Sequence, residues 1–366
     1  VQAVLLLVGS TLVAVLSFNA VGSWSAVTAA IPESDLSIIM PLDHPTLPWP
    51  GLITGVFLLG FYFWATNQFM VQRTLAARDI NNARWGALFA GFLKLPIIFI
   101  MVLPGIFGRM LYPVEEFPAL ANPDLIFPTM MFDLLPHGLR GLIIAALLAA
   151  IMSSVDSTLN SASTLVTMDF VKKLRPNIKN RGLVISGRIV TFTFMALAVA
   201  WAPQIIKFPN LWTYLQAMLA YLSPPVVACF LLGVFWPRAS RGSAFAGLLT
   251  GHAAAAVILL MVISETLIVQ TGPRAPDQLA LAETGVPVLH FLYLVPLLLM
   301  ISVVAMVGVS LHGQRPDPQE VLPYTWTQGN WKQETIELKG LPFYQNYRIL
   351  SAALLVLIAL FIIAFW

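Results

Sequence analysis

The sequence predicts an all-α protein that crosses a membrane many times, on three observations. Of its 366 residues, 58% are hydrophobic and 10% charged, and the mean hydropathy is +0.82; soluble domains carry about 25% charged residues. Nine apolar runs each approach the ~20 residues that cross hydrocarbon as a helix. The linkers between those runs alternate between rich and poor in basic residues.

The runs lie near 2–22, 48–70, 85–111, 138–165, 183–203, 211–236, 242–269, 288–311 and 345–366. The linker after the first holds Glu33, Asp35 and Asp43 and no Lys or Arg. The second run carries a polar and aromatic stretch, Tyr62, Phe63, Trp64, Thr66, Asn67 and Gln68. Phe63 and Trp64 fall near its middle, away from the interfaces where aromatic belts sit. Arg73, Arg78 and Arg84 follow. The third run, GALFAGFLKLPIIFIMVLPG, is interrupted by Pro96 and Pro104. Its Lys94 lies roughly 15 Å past Arg84 at ~1.5 Å per residue, a long way for a snorkelling side chain. The third linker holds acids, with Arg109 and Arg140 at its margins. The fourth linker is strongly basic, with Lys172, Lys173, Arg175, Lys179, Arg181 and Arg188. The fifth has Lys207 only. The sixth run carries Gln216 and is interrupted by Pro224–Pro225; Arg238 and Arg241 follow it. The seventh linker sets Arg274 among Glu265, Asp277 and Glu283. The polar linker 312–344 holds Arg315, Lys332 and Lys339, and Arg348 lies just past it. Interrupted helices are tolerated at membrane depth where they line a cavity, as in secondary transporters. Prolines also occur in membrane helices with no substrate role.

Fifteen basic residues thus fall in alternate linkers and four in the others, with Lys94 in neither set. The positive-inside rule puts the fifteen in the cytoplasm, and the chain then ends outside at Trp366. The expected location is the plasma membrane, or the inner membrane of a bacterium.

The stretch 145–170, AALLAAIMSSVDSTLNSASTLVTMDF, which overlaps the fourth run, begins apolar and then fills with small polar residues. Helical spacing puts Ser153, Ser157, Asn160, Ser161 and Thr164 in one stripe, with Asp156 at its edge. Small-residue faces let membrane helices approach closely, and Ser or Thr bonds back to the carbonyl four residues earlier; that packing role accounts for the serines alone. A carboxylate inside a membrane instead faces a partner, a cavity or an ion. Hard cations such as sodium take oxygen ligands, which this stripe supplies. Lys94 and Asp156 are the two deep charges, either paired with each other or lining one polar cavity.

Other classes lack their residues. The chain has no zinc spacing, no phosphate-cradling Gly loop and no basic tract, so no nucleic-acid partner is expected. Its single cysteine, Cys229, makes no internal disulfide. The spans hold no nucleophile–base pair or metal-ligand set, and an enzyme is not expected. The sequence starts with Val inside an apolar run, and an amino-terminal part is expected ahead of it.

Three stretches carry a family resemblance. AAIMSSVDSTLNSASTLVTMDF resembles the signature helix of the sodium/solute symporter family. FYFWATNQFMVQRTLAARD, followed by GFLKLPIIFIMVLPGI, resembles its sodium–glucose cotransporter branch. YLQAMLAYLSPPVVACFLLGVFWPRASRGSA matches a later helix of that branch. The likeness runs from about Val1 to about Gly251, and the spans beyond are generic. The resemblance implies a partial LeuT-like core of inverted repeats in one transporter domain over 1–366. The segment 1–22 would be the last helix of repeat one, 48–236 repeat two and 242–366 peripheral helices.

It implies sodium ions and a small solute, a sugar, as cargo. The principal sodium site would use the Ala150 carbonyl and the Ser153 and Ser154 hydroxyls, completed by carbonyls of a helix outside this chain. A second sodium would sit by Asp156 and Ser157, with an acid falling just before Val1. For sugar, the branch pattern falls on Lys94, Gln216, the gate residue Phe63 and the following Trp64. The family gate is usually Tyr; Phe63 keeps the stacking face and lacks the hydroxyl donor. With the first core helices absent, the isolated chain is expected not to transport. The alternatives are a symporter of inositol, a carboxylate or an amino acid, or a membrane sensor or scaffold without turnover.

Overall fold

In the computed structural model, the described residues include nine helical stretches long and apolar enough to cross a membrane: Ala3–Val21, Trp49–Thr66, Ile80–Leu111, His137–Leu174, Asn180–Ile205, Leu211–Phe235, Arg241–Ile263, Phe291–His312 and Tyr347–Ala364. They are called here the first to ninth spans. The structure describes residues 2–206, 208–274 and 276–365; Val1, the linker residue Lys207, Ala275 and the terminal Trp366 lie outside the described residues. Each expected run becomes a span, and the ends move for local reasons. The third span starts at Ile80 because Asp79 caps it, its carboxylate accepting from Asn82 N at 2.8 Å. The seventh stops at Ile263, ahead of Glu265 with φ +56°. The eighth begins only at Phe291, because Val288–His290 pairs in parallel with Ile268–Gln270, a small exception to the helical architecture.

The interruptions fall partly elsewhere than expected. At Pro96 the third span does break: the α-helix ends at Lys94, and a π-helical turn, Ile98–Val102, follows. Pro104 follows that turn directly, as the second residue of the helix Leu103–Leu111, and the chain stays helical through it. Pro224–Pro225 does not interrupt the sixth span, which is helical from Leu211 to Phe235. Both rings are buried, and Pro225 lies against Gly251 of the seventh span, whose bare Cα admits it. The second span carries an unforeseen break. Its helix ends in a π turn, Tyr62–Thr66; Asn67 is extended, and its side chain accepts from Phe69 N at 3.1 Å to start a new helix, Gln68–Leu75.

The chain folds as two compact units, Val1–Leu36 with Phe89–Asn210, and Ser37–Leu88 with Leu211–Trp366. In the first, the first span packs on the third and fourth. Val13, Met130, Met131, Leu135 and Ile143 form its core. Gly9 admits Ile143: a Cβ there would meet Ile143 Cδ1 at 2.6 Å. In the second unit the eighth span is the hub. Phe291, Leu292, Leu294, Val295, Leu298 and Met306 are fully buried. Two small-xxx-small pairs press on it, Gly51 and Gly55 of the second span against Leu292, and Gly247 and Gly251 of the seventh against Met306 and Ser302.

Linker contacts within each unit follow the charge alternation. Asp35 of the first linker pairs with Arg109 at 3.2 Å. His290 of the seventh bonds to the Pro45 carbonyl of the first at 3.2 Å, and Ile38 N donates to Phe365 O at 2.7 Å. On the basic linkers, Glu334 bonds to Arg84 and also to Arg348 at 2.7 Å, and Tyr347 Oη donates to it at 2.7 Å. Arg348 lies 3.5 Å from the centre of the Trp331 ring. This clamp pins the loop helix Gln328–Leu338 to the base of the ninth span.

Burial alone raises the Glu334 carboxyl, but hydrogen bonds from Arg348 and Tyr347, with the charges of Arg84 and Arg348, hold it below its usual range. A lowered folded value stabilises the clamp above the unfolded glutamate range, about 4.3, and the gain is lost as pH falls through the folded value. The hydrogen-exchange protection of 328–338, taken relative to the unprotected rate at each pH, is therefore expected to fall as pH drops below about 4, and that of Glu334→Gln to be low at every pH. Protection independent of pH across that range in the unaltered chain would contradict this.

Candidate sodium and solute sites

The fourth span is α-helical from His137 to Leu165 without interruption and continues through a π turn, Val166–Val171. At 3.6 residues per turn, Ile143, Ala146, Ala150, Ser153, Ser154, Ser157 and Ser161 share one face. Ile143 and Ala146 are buried at one end of that face and Ser161 at the other. Between them Ser153 and Ser154 are exposed, with Ala150 half-buried. The face is therefore closed above and below and open at one turn.

The hydroxyls divide into two groups. Ser157 Oγ donates to Ser153 O at 2.8 Å, Thr158 Oγ1 to Ser154 O at 2.8 Å and Ser161 Oγ to Ser157 O at 2.9 Å. These follow the packing role, bonding back to the carbonyl four residues earlier. Ser163 Oγ instead reaches Gly187 O of the fifth span at 2.9 Å. The Ser153 and Ser154 hydroxyls make no hydrogen bond among the described residues, so their lone pairs are available to a cation. Asp156 is exposed and has no ion pair among the described residues. The expected alternative of a Lys94–Asp156 salt bridge is thereby corrected: Asp156 lies on the helix edge and Lys94 at the end of an α-helix facing a proline break.

Of the expected solute residues, Lys94 belongs to the first unit, with Ala150, Ser153, Ser154, Asp156 and Ser157. It is exposed, the last residue before the break. Phe63, Trp64 and Gln216 belong to the second unit and are half-buried. Phe63 and Trp64 sit in the π turn that precedes Asn67, their rings edge-on at 5.8 Å and 84°. The sixth span, which carries Gln216, packs along that turn and the helix before it. The π turns at 52–56, 62–66, 98–102 and 166–171 were not foreseen; such bulges favour functional positions, because an extra residue re-aims the side chains around it. A cleft of about 410 Å³ also opens beside the polar stripe, lined by Asn160, Ser163, Gly187, Arg188 and Thr191 among others. Arg188 was read only as a linker charge.

Comparison with known proteins bears on the family and the fold. Sodium/myo-inositol cotransporter 2 of Mus musculus is 34% identical over 359 residues, covering 89% of this chain and 52% of its own length. Sodium/glucose cotransporter 4 of Danio rerio is 31% identical over 372 residues, covering 92% and 55%. The chain thus spans about half the length of the curated relatives it matches. A solved structure of a Na+-coupled sialic acid symporter, substrate-bound and outward-open, superposes with a TM-score of 0.62 at 22% identity, over 86% of this chain and 61% of that one. The fold is that of a LeuT-like inverted-repeat transporter core, present in part. The model of the sodium:solute symporter family matches residues 1–251, signature helix and broken spans included, and the chain belongs to that family.

Proposed function

We propose that the protein carrying this chain couples the inward movement of sodium to that of a sugar or a closely related cyclic polyol. The observation that supports it best is the open turn of the fourth span. Two adjacent free hydroxyls lie there next to Ala150, on a helix face that is buried at Ile143 and Ala146 on one side and at Ser161 on the other. Ala150, Ser153 and Ser154 would hold one sodium, and Asp156 with Ser157 a second. The first span would close repeat one, 48–236 would form repeat two, and 242–366 would lie outside the repeats. The basic linkers would face the cytoplasm across a plasma membrane, or the inner membrane of a bacterium. The Ile38–Phe365 hydrogen bond fits an outside carboxyl end, since it joins that end to the basic-free linker.

A ring bearing many hydroxyls needs a partner for each one removed from water. Such a ring would suit Lys94 as a donor in the first unit and, in the second, Gln216 as donor and acceptor with the aromatic faces of Trp64 and Phe63. Glucose and myo-inositol both present this chemistry, and relatives carrying both names match the chain. The driving force suffices: one charge through 100 mV supplies about 2.3 kcal/mol. A tenfold sodium gradient adds about 1.4 kcal/mol, together roughly a few hundredfold accumulation per sodium.

The test is uptake of labelled glucose and labelled myo-inositol by the full-length protein in proteoliposomes, with and without an inward sodium gradient. Sodium-driven uptake of either supports the reading, and cross-competition ranks the two. Lys94→Ala is expected to abolish uptake. No sodium-dependent uptake of either compound would overturn the proposal.

A further inference from the structure

The sixth and eighth spans end side by side at a pocket that the transport reading does not use. It encloses about 420 Å³ and is lined by Pro237, Arg238, Arg315, Asp317 and Leu322 among others, within the ~300–1,000 Å³ typical of small-molecule sites. Arg238 is half-buried and fixed in place. Its Nε donates to Ser310 O at 3.1 Å and its Nη2 to Leu311 O at 3.0 Å. It thereby caps the last carbonyls of the eighth span, and Nη1 is uncommitted among the described residues. A capping role accounts for Arg238 alone. It does not account for Arg315, which is exposed on the same pocket and makes no hydrogen bond or ion pair among the described residues. Asp317, the carboxylate among those lining residues, accepts from Gln319 N at 2.9 Å as the cap of the short helix Pro318–Val321. It forms no salt bridge with either arginine among the described residues.

Two features fix the kind of ligand. Trp326 N donates to Val234 O at 2.8 Å, and the Trp326 ring lies 6.1 Å from that of Phe235; both rings are exposed. Exposed aromatics at a span's end mark the headgroup level. Both linkers also belong to the basic set that the charge alternation assigns to the cytoplasm, the leaflet that holds the anionic lipids.

We propose that the Arg238–Arg315 pocket binds the phosphate-bearing headgroup of an anionic phospholipid of the cytoplasmic leaflet. The uncommitted edge of Arg238 and the free guanidinium of Arg315 chelate phosphate oxygens, which arginine's planar fork suits. Leu322, Phe235 and Trp326 give the acyl chains an apolar path. Free phosphate offers the same oxygens without chains to use that path.

The test uses the full-length protein in detergent micelles, with lipid-bound species counted by native mass spectrometry. The probes are phosphatidylglycerol, phosphatidylcholine of the same chains, inorganic phosphate and hexaglutamate. Phosphatidylglycerol is expected to bind more tightly than phosphatidylcholine. Arg315→Gln, which removes no bond of the fold, is expected to weaken phosphatidylglycerol binding about fivefold with the thermal midpoint unchanged. Arg238→Gln is expected to weaken it as well and to lower the midpoint. Equal binding of the two lipids, or unchanged binding in Arg315→Gln, overturns the proposal. So does saturation by inorganic phosphate or hexaglutamate where phosphatidylglycerol fails to bind.

Discussion

Ser154→Ala in the full-length protein is expected to raise the sodium concentration for half-maximal solute uptake by roughly ten- to a hundredfold, the worth of one oxygen ligand to a charged group. Ser154 is singled out by what its hydroxyl does not do. Ser157, Thr158 and Ser161 all bond back to carbonyls of their own helix at 2.8–2.9 Å. To reach a cation those side chains would first have to give up a bond already made. Ser154, like Ser153, has no such bond among the described residues and lies on the open turn. Ser161→Ala is thus the control: it removes a buried hydroxyl from the same face and is expected to leave the sodium dependence unchanged. Ser157→Ala is expected to fall between, since its hydroxyl must leave the Ser153 carbonyl to serve a second ion. The assay is uptake against sodium concentration at a fixed membrane potential. An unchanged half-saturation in Ser154→Ala, or an equal shift in Ser161→Ala, would remove the principal sodium site from this helix.

The nine spans were legible because apolar length is a one-dimensional property. The alternation of charge along the linkers is one too, and the paired contacts of Asp35 with Arg109 and of Glu334 with Arg84 each join linkers of one charge class. What was not legible depended on neighbours. Pro224–Pro225 reads as a break, yet the helix runs through it, and the Pro225 ring packs on Gly251 of the seventh span, a contact the sixth span's own sequence does not reveal. The break at Asn67 did carry a local signal. Asn is among the best N-cap residues, and it stands before a helix-compatible run; the surrounding apolar length masked it. For the site, periodicity put the serines of the fourth span on one face. It could not tell free hydroxyls from those bonded within the helix, because the sequence of each serine's turn is nearly the same. Lys94 and Gln216 stood out as polar residues in apolar runs, but no spacing rule links residues so far apart, and they fall in different units.

The glycine pairs were in plain view as Gly51–Gly55 and Gly247–Gly251, each a small-xxx-small signature. They yield the largest expected effect on folding. Gly55→Ala is expected to cost about 1–3 kcal/mol and to lower the thermal midpoint and the folded yield. An added Cβ would stand 2.5 Å from the Leu292 carbonyl oxygen and 3.0 Å from Leu292 Cβ. The obstacle is backbone, so no rotamer change relieves it; the second and eighth spans must part. Leu292 is fully buried at the start of the span around which its unit is packed, so parting strips contacts from Val295 and Leu298 as well. Gly60, five residues on in the same span, meets nothing within 4 Å of an added Cβ. Gly60→Ala is therefore expected to be neutral or slightly stabilising, since alanine favours the helix by up to ~1 kcal/mol over glycine. Both variants change the same atom in the same helix, so membrane insertion and helix propensity cancel between them. A difference in midpoint then isolates the contact with Leu292, and equal midpoints would show that this contact does not hold the unit together.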